Sequence, residues 1–308
     1  MKIGFTSRVC PEWDLPTIIG KAAELGFDGV ELGTLQGETH LPAQDALTSD
    51  PDAVKRMFSE KGVELVCLGT GETLEAYGAP QVAESRARVM EVVELAGRLG
   101  CPLVRVPMGS VPKGDDRART VSRMAATFKA LALPAARHHV TLVVENGGGF
   151  PGSADLWFVV DDAAHPAVAA CWNPCPAITR LERPTTSIPR LGRGLGLVRV
   201  CDGVFDEKGR FGGFRIPGDG DVELRRMVDL LLGILYNGYL MFDWPKAAMA
   251  DLPAPEHVLP KVQARLREWI DAESKVLTAY KGDKKPVYLD LPGVEIPAPK
   301  APAAAKPA

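Results

Sequence analysis

The chain lacks the signatures of several large protein classes. No run reaches the roughly 18 apolar residues that a membrane-spanning helix needs. The first residues, MKIGFTS, show no charged leader followed by an apolar stretch and a small-residue cleavage site, so the expected location is cytoplasmic. No basic block stands out, and 36 Lys and Arg against 39 Asp and Glu give a formal net charge of -3. A nucleic-acid or acidic-membrane partner therefore has no electrostatic support. None of the six cysteines forms a Cys-x-x-Cys pair, and most lie in or beside apolar runs. They read as small buried hydrophobes in a reducing compartment rather than as disulfides or a thiolate metal site. A Gly-x-Gly-x-x-Gly fingerprint is missing after the first strand-like run, which argues against a dinucleotide-binding open sheet.

What is present is a repeating pattern of short apolar runs and amphipathic stretches. The clearest run is VTLVVENGGG at 140–149: β-branched residues ending in Glu145 and then three glycines. A short apolar run bounded by glycine reads as a strand buried on both faces. Similar runs fall at 3–7, 29–32, 63–68, 102–107, 167–172, 195–202 and 239–243. Helical periodicity separates them, and the segments are bounded by signals such as Asp50 and Pro51 at a helix start and Gly26, Gly62 and Gly100 at helix ends. The stretch 175–193 reads as irregular and 203–220 as a glycine-rich loop. Eight strand–helix units over about 280 residues predict a single (β/α)8 TIM barrel at 1–280. Residues 281–308 form a tail whose last part, rich in Pro, Ala and Lys, is expected to be disordered.

In such barrels chemistry is done where the strands end. The polar residues there are Glu31, Arg105, Glu145, Asn173, Arg199, Asp202 and Asp243. Glu145 and Asp243 are the candidate catalytic pair, able to act as base and acid or to hold a divalent cation through hard oxygen ligands. Arg105, Arg199 and Lys246 are candidates to bind substrate or to stabilise developing negative charge. Trp172 and Trp244 flank this set as candidate pocket walls, or pack within the barrel. Arg210 and Arg215 read first as solvated loop cations.

Four stretches carry a resemblance: GFDGVEL at 26–32, VVEN at 143–146, VRVCD at 198–202 with GDGD at 218–221, and GYLMFDW at 238–244 followed by Lys246. In this order and spacing they resemble the sugar phosphate isomerase/epimerase superfamily, the xylose-isomerase-like barrels, over about 1–275. That resemblance implies a Mn-, Mg-, Co- or Zn-type ion held by Glu, Asp, His and Glu. Matched position by position, the ligands become Glu145, Asn173, Arg199 and Asp243. Asn173 loses a charge, Asp243 is one methylene shorter, and the Arg199 guanidinium cannot ligate a cation. Two readings follow: an ion kept by Glu145, Asn173, Asp243 and water, or a degenerate site in which Arg199 supplies the positive charge. The repulsion between a permanent cation and a divalent ion favours the metal-free or weakly binding site. The related endonuclease branch needs a histidine-rich zinc cluster; with five histidines, of which His40 alone falls on the presumed catalytic side, the chain does not match it.

The resemblance implies a sugar phosphate isomerase/epimerase-like enzyme that moves a proton next to a carbonyl on a small sugar or polyol-derived substrate. The alternatives are a non-catalytic sugar-binding or assembly subunit with a decayed metal site, and a lyase or dehydratase of the same superfamily. The expected partner is a small sugar-like molecule; a homo-oligomer is compatible with the sequence.

Overall fold

The structure, a computed structural model, describes residues 1–75 and 79–281. The expected disorder of the tail lies outside the described residues. Among the described residues ten strands occur in chain order: β1 (Lys2–Thr6), β2 (Gly29–Leu32), β3 (Glu64–Gly69), β4 (Leu103–Pro107), β5 (Thr141–Glu145), β6 (Val168–Trp172), β7 (Leu195–Val200), β8 (Asp202–Phe205), β9 (Phe211–Arg215) and β10 (Tyr239–Phe242). Strands β1 to β7 and β10 close into a parallel barrel, with β10 seated between β7 and β1. This is the (β/α)8 architecture that the alternating pattern predicts.

The helices are α1 (Leu15–Leu25), α2 (Asp45–Thr48), α3 (Pro51–Lys61), α4 (Ala79–Leu99) and α5 (Arg117–Arg137) in the first half. The second half adds α6 (Ser153–Ala163), α7 (Pro174–Ile178), α8 (Pro184–Leu191), α9 (Leu224–Gly233) and α10 (Pro255–Lys281). Local signals place several ends. Asp50 caps α3 by accepting from the Ala53 amide at 2.9 Å, and Gly62 ends it with φ 63°.

Two expectations change. The stretch 175–193 is not irregular: it carries most of α7 and all of α8, because proline is tolerated in a first helical turn and Pro174 and Pro184 sit there. The run expected as one strand to residue 202 breaks at Cys201, and the glycine-rich loop is an antiparallel hairpin of β8 and β9. Asp202 causes the break. Its buried carboxylate accepts from the amides of Gly203, Gly218, Gly220 and Val222 at 2.7–3.1 Å, tying the hairpin's two ends to the barrel rim.

Inside the barrel, side chains two residues apart on a strand point the same way. One inward layer is apolar: Leu103, Val143, Cys171, Leu197 and Met241, with Val66, Cys67 and Tyr239 in the same cluster. Gly29 makes room for this plug, since a Cβ there would lie 2.5 Å from Val66 and 2.9 Å from the Tyr239 ring. The next inward positions are each two residues further on: Arg105, Glu145, Asn173, Arg199 and Asp243. A charged layer thus rests directly on an apolar floor. Truncating that floor removes buried area and leaves a cavity beneath the charges. Leu197→Ala is expected to lower unfolding stability by about 2–5 kcal/mol, measured by urea denaturation with an unchanged m-value.

Candidate active site

The charged layer is a closed lattice of two acids and two guanidiniums. Arg199 on β7 is fully buried. Its Nη1 and Nη2 lie 2.7 Å from Glu31 Oε2 and Oε1, and its Nε lies 3.2 Å from Glu145 Oε1. Arg105 on β4 repeats the bridge from above, with Nε 3.0 Å from Glu31 Oε1 and Nη1 2.8 Å from Glu145 Oε2. Gly69, at the end of β3, leaves the space: a Cβ there would stand 2.7 Å from Arg105 Nη2 and 3.2 Å from Glu31 Oε1.

Burial alone would raise the pKa of Glu145, but the Arg199 and Arg105 guanidiniums outweigh it and hold the carboxyl down at about 2. Glu31 is lowered through the same contest between burial and the two arginines. Both arginines are pushed up by the two carboxylates against the opposing effect of burial. All four groups therefore stay ionised at neutral pH and their formal charges cancel.

Above the lattice opens a cavity of about 570 Å³. Arg105, Glu145, Asn173 and Asp243 line it, as do Arg8, Asn146, Cys175, Cys201 and three phenylalanines, Phe205, Phe211 and Phe214. Arg8 lies in a 3₁₀ turn, Ser7–Val9, that the Ser7 hydroxyl pins by donating to the Thr34 carbonyl and accepting from the Gly33 and Thr34 amides. Its Nη1 is 3.3 Å from Asp243 Oδ2. The other carboxylate oxygen, Asp243 Oδ1, is buried with no hydrogen-bond partner among the described residues. Asn146 joins the ends of β5 and β6, accepting from the Asn173 amide at 2.7 Å and donating to the Asn173 carbonyl at 2.8 Å. Burial pushes the Cys201 thiol well above its ordinary pKa, so it is not a thiolate nucleophile at neutral pH.

The other residues expected at the site stand differently. Arg199 lies beneath Glu145 and does not line the cavity. Lys246 is turned aside, its Nζ donating to the carbonyls of Ala250 and Leu252 at 2.5 and 2.6 Å. Trp172 and Trp244 are packed in the core outside the cavity, and Trp244 donates Nε1 to the Pro253 carbonyl at 3.2 Å. Arg210 pairs with Asp206 on the hairpin, and Arg215 donates to the Phe214 carbonyl. His40 pairs with Glu91 at 3.1 Å.

Sequence reasoning missed Arg8, because a basic residue after the first strand looks like any loop charge. It also missed the phenylalanines, which become neighbours only through the hairpin. Glu31 was legible as a strand-end acid but not as the second counter-ion of Arg199.

The donor set does not fit a divalent metal. Glu145 Oε1 accepts from Arg199 and from Asn173 Nδ2 at 3.0 Å, and Oε2 accepts from Arg105. Asn173 turns its carbonyl oxygen away, to the Cys175 amide at 3.2 Å and the Cys201 thiol at 3.1 Å. Among the described residues no group of three or more His, Cys, Asp or Glu is placed to hold a metal ion.

A parallel eight-stranded barrel with a charged, cavity-forming C-terminal mouth defines the class: a (β/α)8 TIM barrel. Residues 19–269 match the model of the xylose isomerase-like TIM barrel, and the chain belongs to that family. It is 30% identical over 121 residues to a human protein named "Putative hydroxypyruvate isomerase"; the match covers 37% of this chain and 40% of the human one. Among solved structures, an L-ribulose 3-epimerase superposes with a TM-score of 0.73 at 17% identity, over 92% of this chain and 99% of that one. The 3-keto-D-glucoside 4-epimerase of E. coli gives 0.70 at 16% identity, over 87% of this chain and 99% of its own. These structural likenesses show the shared fold. No described helix is long and apolar enough to cross a membrane.

The lattice sets an acid limit on stability. Glu145 and Glu31 have folded-state pKa values below their unfolded ones, so their contribution is present above about pH 4.5 and is lost as pH falls below it, that of Glu145 as pH passes about 2. Unfolding stability is expected to drop across that window in a pH series of urea denaturations. Glu145→Gln, which leaves two buried arginines with one carboxylate, is expected to cost about 3–5 kcal/mol at pH 7 and to flatten the acid dependence.

Proposed function

We propose that the protein is an isomerase/epimerase-like enzyme that moves a proton beside the carbonyl of a small sugar or polyol-derived substrate, without a bound metal ion. The observation that carries this reading is Asp243 Oδ1, a buried carboxylate oxygen at the cavity wall with no partner of its own. An unsatisfied buried acceptor costs free energy unless a ligand completes it. Of the two acids on the cavity, Asp243 has an oxygen with no partner among the described residues, while both oxygens of Glu145 already accept hydrogen bonds.

In this reading Asp243 Oδ1 takes the proton from the carbon next to the carbonyl. The C–H electron pair forms the enediolate double bond, and negative charge develops on the carbonyl oxygen. Arg105, fixed by Glu31 and Glu145, presents permanent positive charge to the cavity, and Arg8 adds a second guanidinium beside Asp243. Positive groups set in place beforehand stabilise such an oxyanion without reorganising. Protonated Asp243 then delivers the proton to the former carbonyl carbon on the same face, while the hydroxyl proton of the carbon it left passes to the former carbonyl oxygen and that carbon becomes the new carbonyl. One carboxyl thus serves as base and then as acid in an isomerisation. Glu145 acts through the lattice: with a pKa of about 2 it is a poor proton acceptor and its part is to position Arg105 and Arg199. The divalent ion implied by the family has no step here, because the Glu145 oxygens and Asn173 Oδ1 already accept hydrogen bonds, which leaves Asp243 Oδ1 alone, with too few neighbours to hold a cation.

The sugar epimerases among the structural neighbours and the partial match to the human protein support the substrate class. A panel of aldoses, ketoses and short hydroxy-carbonyl compounds incubated in D2O, followed by NMR, tests the reading. Deuterium is expected to enter at the carbon beside the carbonyl, with a rate unchanged after dialysis against EDTA. Asp243→Asn is expected to lose roughly 10²–10⁴-fold in exchange rate while keeping its fold. Sugar binding without exchange in the wild-type protein would sink the enzymatic reading in favour of a sugar-binding protein. Activity lost to EDTA and restored by Mn²⁺ would sink the metal-free one.

A further inference from the structure

The cavity has two chemically different halves. Its floor is polar: Glu145, Arg105, Asn173 and Asp243. One wall is aromatic and belongs to the β8–β9 hairpin, with Phe205, Phe211 and Phe214 all lining the same space. The three rings contact one another edge to face, at 5.4 Å between Phe205 and Phe211 and 4.7 Å between Phe211 and Phe214. Phe214 continues the row to Trp244 at 6.0 Å.

The wall is a fixed construction. Asp202 ties both ends of the hairpin to the barrel through its four amide contacts, and the Phe205 amide donates to Asp221 at 2.7 Å. Gly203 allows Phe211 to lie across the hairpin, since a Cβ there would stand 2.6 Å from the ring edge. Rings serving only to hold the hairpin together would be covered by it. Phe211 instead lines the cavity and leaves 43% of its surface exposed on a well-anchored element.

Size points the same way. A cavity of about 570 Å³ falls in the range that encloses drug-sized ligands, well beyond a three-carbon hydroxy acid. A free sugar would satisfy the polar floor and leave the aromatic wall wet. A ligand with an apolar group joined to its polyol part would cover both, and the buried ring surface would add to binding.

We propose that the natural substrate is amphipathic: a polyhydroxy carbonyl compound bearing a flat apolar substituent, with its polyol end on the Glu145–Arg105–Asp243 floor and its substituent against Phe211 and Phe214. This rests on the sugar-binding reading above and adds its substrate class. Phe211 is the specificity-determining residue of the wall.

The test reads binding rather than turnover, so it is separable from proton transfer. Matched 4-nitrophenyl and methyl glycosides of glucose, galactose, mannose and xylose, and 4-nitrophenol alone, are titrated into the full-length protein by calorimetry. At least one aryl glycoside is expected to bind 10-fold or more tightly than both its methyl counterpart and 4-nitrophenol. In Phe211→Ala that advantage is expected to shrink to within about 3-fold while the methyl glycoside is unaffected, and Phe211→Tyr is expected to restore it. Because Phe211 is half exposed, these variants should keep the wild-type melting temperature. Equal affinity for aryl and methyl glycosides, no binding by any of the eight, or an advantage that survives Phe211→Ala overturns the proposal. Binding of 4-nitrophenol as tight as that of the aryl glycosides also overturns it, and in addition removes the support for a sugar-reading floor.

Discussion

Arg199 has no exposed surface, and a guanidinium cannot shed its charge to suit a dry environment. Everything at the mouth of this barrel follows from keeping that cation satisfied. Glu31 and Glu145 are held ionised against it, Arg105 balances the second negative charge, and Gly69 stays bare so that the four groups fit. Breaking such a lattice is costlier than forming it is favourable, because each member lost leaves a buried charge uncompensated. That asymmetry makes the lattice a rigid platform, whatever its net contribution to stability.

The same platform decides the chemistry open to the site. A carboxylate that accepts from two guanidiniums and an amide has a pKa too low for a useful base, and both its oxygens are already engaged. In the function proposed above, the work a divalent cation would do, placing fixed positive charge beside a developing oxyanion, falls to Arg105 at the cavity surface, with Arg8 beside Asp243. In that same proposal, proton transfer falls to Asp243, the acid left outside the lattice with an oxygen that has no partner among the described residues. The hairpin after β7 then limits what reaches that carboxylate, through an aromatic wall that a purely hydrophilic ligand would not cover.

Much of the fold was legible because its signals are local. Apolar runs near five residues recur eight times, glycine marks several helix ends and Asp50–Pro51 marks one start, and the barrel closes as the pattern predicts. The errors were local as well. Pro174 and Pro184 suggested irregular chain but sit in first helical turns, and the glycines of 203–220 concealed a hairpin. Glu145, Asn173, Asp243 and Arg105 were legible as a set, since strand ends of one parallel barrel must converge. Lys246, Trp172 and Trp244 have the right sequence neighbourhood but face elsewhere, since one residue's shift along a strand or turn changes the face it presents.

The sequence by itself determined the barrel and the identity of the charges at its mouth, because period-two alternation places Arg105, Glu145, Arg199 and Asp243 each two positions beyond an apolar residue on the same inward face. Only the tertiary structure decided who pairs with whom. Glu31 and Arg199 are 168 residues apart, and nothing local indicates that one carboxylate will bridge two guanidiniums from different strands. Arg8 beside Asp243 and three phenylalanines in one wall are likewise consequences of closure. Pairing in a closed barrel is set by strand order and register, and those exist only once the sheet has joined its first strand to its last.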